Sequence, residues 1–236
     1  MTGYIVLEGG AEFGGKMAEV DVRAIELAGG KDAAIRIIPT AAAPDNNWQR
    51  AGRNGGQWFK TLGASDVEVV PVVDRASAND AQVVASLREA KLVYILGGFT
   101  GYLGETLTGS ACWDAVRQAY EQGAVIAGSS AGAMVLCEYY YDPGKGRVVE
   151  GLGLVPGSCV LPHHNTFGRG WARQLSTLLP QTTLLGIDER TGMIDEQSSQ
   201  GTGQERTWSV YGQGAVTLYQ QGKPTVYVAH GPAISF

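Results

Sequence analysis

The longest apolar runs in the sequence are only a few residues, too short for a transmembrane helix. No basic stretch leads into an apolar one after Met1, so a secretory signal is not expected. Positive charge is not in surplus either. A formal net charge of −5 gives no electrostatic footprint for nucleic acid or an anionic membrane. Cysteine is scarce: Cys112, Cys137 and Cys159 are odd in number and widely spaced. That pattern suits neither a disulfide framework nor a zinc site, and a reduced, cytoplasmic setting is the expectation. Long linkers, repeats and low-complexity stretches are missing too.

What is present is enough for a full core. The chain has 236 residues, 44% of them apolar, which suits one α/β domain over residues 1–236. Short apolar runs alternate with amphipathic stretches. Tyr4 to Leu7, Ala33 to Ile38, Val67 to Val73, Lys91 to Leu96 and Ala124 to Ala127 read as buried strands. Between them lie helical stripes, such as Met17, Val20, Ala24 and Leu27, which Gly29 and Gly30 close. Strands separated by helices imply a parallel sheet covered on both faces. Thr207 to Val210, Ala215 to Tyr219 and Thr225 to Ala229 read as antiparallel additions to that same sheet. In such folds ligands bind at the carboxyl ends of the strands.

Three strand ends carry chemistry. The strand at Ala124 to Ala127 runs into Gly128-Ser129-Ser130-Ala131-Gly132, a G-x-S-x-G turn before an apolar helix. Small residues at 128 and 132 permit a sharp turn that lifts the Ser130 hydroxyl. The N–H of Ala131 then faces developing negative charge. A serine nucleophile needs a base, and the chain has only three histidines. His230, before Gly231-Pro232, reads as structural. His163 and His164 close the strand Ser158 to Leu161. Adjacent strand residues face opposite ways, so at most one of them faces Ser130. Asp188-Glu189 closes the strand Thr183 to Ile187 and offers a carboxylate to orient the imidazole. Gly97-Gly98-Phe99-Thr100 ends another strand, and its bare backbone suits a second oxyanion donor at Gly98.

One rival pattern overlaps the first strand end. Gly10 to Lys16 nearly fits a nucleotide-binding P-loop, followed by Met17. Met17 has no hydroxyl for Mg²⁺, and Glu12 would set a carboxylate inside a phosphate cradle.

Together these segments resemble the serine peptidase family of cyanophycinase and the aspartyl dipeptidase called dipeptidase E. The likeness rests on five motifs in order: Gly9-Gly10-Ala11-Glu12, Ile38-Pro39-Thr40-Ala41, Gly97 to Thr100, Gly128 to Gly132, and Gly186-Ile187-Asp188-Glu189. The resemblance implies a three-layer α/β/α sandwich of the flavodoxin or class I amidotransferase type. It implies a Ser–His–Glu triad in that chain order, which falls on Ser130, His164 and Glu189, with Gly98 and Ala131 as oxyanion donors. No cofactor or metal is implied. Phe99, Thr100, His163 and Arg173 fall on positions expected to shape the substrate pocket, and Arg169, one position off another, is expected to serve there as well. The expected partner is a small peptide, aspartyl or isoaspartyl, and a homodimer stays open. Phe99 and Thr100 stand for Asn and Gln of the family loop, and Pro162, His163 and Asn165 also depart from its pattern. The fold and hydrolytic machinery therefore carry over more directly than the substrate. A silent member of the same fold is the remaining alternative.

Overall fold

The computed structural model describes residues 2–15, 17–196 and 207–236. Its first part alternates strands and helices: β1 (Tyr4–Glu8), α1 (Met17–Leu27), β2 (Ile35–Ile38), α2 (Trp48–Thr61), β3 (Val67–Val69), α3 (Ala81–Arg88) and β4 (Leu92–Ile95). Next come α4 (Thr100–Leu107), α5 (Ala111–Glu121), β5 (Val125–Ser129) and α6 (Ala131–Leu136). The predicted third strand stops early because Pro71 supplies no N–H to the ladder. The later elements are β6 (Tyr139–Asp142), β7 (Arg147–Glu150), β8 (Ser158–Leu161), α7 (Ala172–Leu178), β9 (Thr183–Ile187), β10 (Thr191–Asp195), β11 (Trp208–Gly212), β12 (Ala215–Gln220) and β13 (Lys223–Val228).

The large sheet has the order β11-β10-β1-β5-β4-β2-β3. Its strands β1, β5, β4, β2 and β3 are parallel, whereas β10 and β11 are antiparallel additions beyond β1. Side chains alternate between two cores, as period 2 requires. Val6, Val125, Ala127 and Tyr94 pack towards α1 and α2. Ile5, Leu7, Ile126 and Ile95 pack towards the helices of the other face. The result is the expected α/β/α layering.

The C-terminal strands do not all join this sheet, contrary to the sequence reading. Only β11 does. β12 and β13 form a second sheet with β8 and β9, in the order β13-β12-β9-β8. The reason is occupancy of an edge. β10 takes the free edge of β1, from Val6 opposite Ile194 to Glu8 opposite Gly192, so β8 and β9 cannot pair there. The chain instead crosses between sheets within Asp188-Glu189-Arg190. Backbone hydrogen bonds stitch the sheets at this point: His163 N–H donates to Gly9 O (2.7 Å) and Arg190 N–H to Gly10 O (2.9 Å). The carboxyl ends of β1, β5, β8 and β9 thus meet in one place. No helix among the described residues is long and apolar enough to cross a membrane.

Candidate active site

Ser130 sits between β5 and α6 with φ 50° and ψ −112°. A non-glycine residue held there stores roughly 1–3 kcal/mol of strain, and the surroundings enforce it. Ser130 N–H donates to Glu8 O (3.0 Å). A Cβ on Gly132 would lie 2.1 Å from Ile95 O, and one on Gly128 would lie 2.5 Å from Gly132 C. Both flanking glycines are therefore needed for helix and strand to approach. The turn leaves Ser130 partly exposed.

Its hydroxyl oxygen lies 3.0 Å from Nε2 of His163, whose Nδ1 lies 2.8 Å from Glu189 Oε1. Of the two adjacent histidines, the structure therefore brings His163, and not His164, to Ser130. The backbone explains it. His163 has φ 48°, in the left-handed region, so the chain leaves the strand direction there. Its N–H is held by Gly9, and its carbonyl accepts from Thr166 and Gly168 N–H (3.0 Å each). The ring is clamped on two sides. Phe167 stacks on it at 4.9 Å and 24°, while a Cβ on Gly10 would come within 2.4 Å of it.

His164 turns the other way and is only 6% exposed. Its Nε2 lies 2.9 Å from the Tyr219 hydroxyl and its Nδ1 3.4 Å from Asp188. A Cβ on Gly186 would collide with the ring at 2.4 Å. Burial pulls the His164 pKa down, and the neighbouring Asp188 charge opposes this. The acids separate in the same manner. Glu189 faces His163, its N–H held by Asn165 Oδ1 (2.9 Å). Asp188 faces His164 and accepts from Ala215 N–H (3.0 Å).

The other predicted site residues fall into two groups. The Gly97 loop abuts the nucleophile, since a Cβ on Gly97 would lie 3.0 Å from Ser130 Cβ. Phe99 N–H is committed to Ala41 O (2.8 Å) and is therefore not available as a donor of this loop. Phe99 itself is 51% exposed. Thr100 does not line the site as expected. It is 5% exposed, and its hydroxyl lies 3.7 Å from Met134 Sδ, because it opens α4 on the side packed against α6. Arg169 lies beside the Tyr219 hydroxyl, and its charge acts on His164, so it belongs to the buried histidine's side. Arg173 is exposed on α7. No hydrogen bond or ion pair among the described residues ties it to Ser130, His163 or Glu189. His230 lies elsewhere and pairs with Glu19 (3.0 Å).

Behind the nucleophile lies an arrangement that the sequence reading missed. Glu8, whose carbonyl holds Ser130, buries its carboxyl group against the Tyr94 hydroxyl and Asp21. Asp21 also accepts from the Trp58 indole (2.7 Å). Burial, reinforced by the Asp21 charge, pushes Glu8 well above the usual carboxylate range, and burial pushes Asp21 up to about 7. The available signal was Asp21 itself, a charged residue on the apolar stripe of Met17, Val20 and Ala24. Glu12 is turned onto Ser129 Oγ (3.0 Å). Lys16, the last residue of the P-loop pattern, lies outside the described residues. Cys137 is fully buried, and burial pushes its thiol up to about 12.

A partly exposed serine on a strained strand-to-helix turn, backed by a histidine and a carboxylate, is the arrangement of a serine hydrolase. The profile of peptidase family S51 matches residues 5–199, and the chain belongs to that family of serine peptidases. It is 29% identical over 227 residues to a cyanophycinase of Synechococcus elongatus, covering 92% of this chain and 67% of the relative. It is 29% identical over 239 residues to a cyanophycinase of Geminocystis herdmanii (strain PCC 6308), covering 96% and 84%. The crystal structure of a peptidase from an acI-B1 Actinobacterium superposes with a TM-score of 0.85 at 29% identity, covering 100% of this chain and 98% of that one.

Proposed function

We propose that the chain hydrolyses a small peptide or peptide-like amide through Ser130, His163 and Glu189. The observation that carries this is the continuous contact from Ser130 Oγ to His163 Nε2 and from His163 Nδ1 to Glu189 Oε1, at 3.0 and 2.8 Å. Glu189 accepts from Nδ1–H and thereby fixes the tautomer that leaves Nε2 free to take a proton. Ser130 Oγ attacks the carbonyl carbon, and its proton passes to His163 Nε2. The N–H groups of Gly98 and Ala131 receive the oxyanion. The C–N bond then breaks, and His163 gives its proton to the leaving amine. Water attacks the resulting ester, loses a proton to His163, and releases the acid. That proton returns to Ser130.

Labelling by a serine-directed fluorophosphonate tests the reading. The wild-type chain should label at one site and Ser130→Ala at none. Equal labelling of the two would overturn the assignment.

A further inference from the structure

A half-exposed aromatic ring borders the proposed reaction centre: Phe167, at 54% exposure, stacks on His163 at 4.9 Å. Phe167 lies on the ring of His163, the group that delivers the proton to the leaving amine, so it stands where the leaving residue emerges. Phe167 is braced in turn. Trp171 meets it edge-on at 5.6 Å, and Tyr141 packs on Trp171 at 5.1 Å. A ring held this way offers a fixed apolar face at little conformational cost.

The carboxylates beside the centre are engaged within the protein: Glu189 is taken by His163 and Glu12 by Ser129. From this we infer that the substrate carries an apolar, preferably aromatic, side chain on the leaving side of the scissile amide. The inference rests on the Ser130–His163 reading and adds the substrate class to it. The opposing outcome is an acidic substrate drawn by the exposed arginines Arg173 or Arg190.

The test is a dipeptide series on the full chain, with the acyl residue fixed and Phe, Leu, Gly, Asp or Lys as the leaving residue. We expect kcat/KM for Phe and Leu to exceed that for Asp and Lys by about tenfold or more. Phe167→Ser should bring that ratio close to one, whereas Phe167→Leu should keep most of it. Using the ratio cancels any general loss that follows from loosening His163. Fluorophosphonate labelling of each variant separates the two levels. A chain that fails to label loses the Ser130 reading itself. A chain that labels but prefers Asp or Lys, cleaves no apolar member, or keeps its ratio in Phe167→Ser overturns the substrate class alone.

Discussion

Two histidine–carboxylate pairs stand side by side in this molecule, built from consecutive residues. His163 pairs with Glu189 and His164 with Asp188. The first pair is partly exposed and reaches a hydroxyl nucleophile. The second is sealed between β9 and β12 and reaches a tyrosine. The composition of the pairs is nearly the same, so what separates them is backbone direction. The left-handed turn at His163 and the sheet-to-sheet crossing at Asp188-Glu189-Arg190 send each neighbour to an opposite side. One pair is positioned for proton transfer, and the other joins the second sheet to its loop.

The largest effect should come from exchanging the histidines' fates. His163→Ala should cut kcat/KM by on the order of 10⁴-fold and slow phosphonate labelling in parallel. His164→Gln can still bond Tyr219 and should label at close to the wild-type rate. The reverse result, with His164→Gln inactive and His163→Ala active, would break the comparison.

The carboxylates give the second, smaller contrast. Glu189→Gln keeps a side chain of similar shape but no longer holds the charged imidazole. It should lower kcat by roughly 10³-fold or more while KM changes little. Asp188→Asn retains an acceptor for Ala215 N–H and should leave labelling near wild type. Equal losses in the two variants would mean that both acids serve the base.

How much of this was legible in the sequence depends on the range of the forces involved. The elbow at Ser130 was readable because its constraint is local: small residues at 128 and 132 and an apolar run on either side. The Asp188-Glu189 pair and the Gly97 loop were readable as strand ends, since parallel strands align their carboxyl termini, whereas the choice of Glu189 came from the family resemblance. The choice of His163 was not, because period-2 alternation says that neighbours diverge but not which one turns inward. That depends on a positive φ and on the bond from His163 N–H to Gly9 O, a contact across 154 residues that no local pattern encodes. The second sheet was hidden for the same reason. β10 is short and contains Gly192 and Asp195, and only its capture of the β1 edge displaces β8 and β9. Thr100 was expected at the site because it stands for the Gln of the family loop, yet it already belongs to the buried face of α4.

The smallest effect concerns the buried pair and is read from the pH dependence of stability at His164. Burial lowers the His164 pKa in the folded chain, while an unfolded histidine titrates near about 6.5. Above that value His164 is neutral in both states, and its full contribution to stability is present. As pH falls through that value, the unfolded chain takes up a proton that the folded chain refuses, so stability is lost. The loss is at most about 1.4 kcal/mol per pH unit for one such group. Glu8 and Asp21 act in the opposite sense, because their raised folded-state values make proton uptake favour the folded chain over part of the same window. The net profile of the wild type therefore mixes both signs. The informative quantity is the Tm of the wild type minus that of His164→Gln, measured from pH 7.5 to pH 5.5. It should fall steadily with pH, because glutamine cannot titrate. A difference that stays flat would mean that His164 is as free to charge as an exposed histidine, and the distinction between the two pairs would then be one of position only.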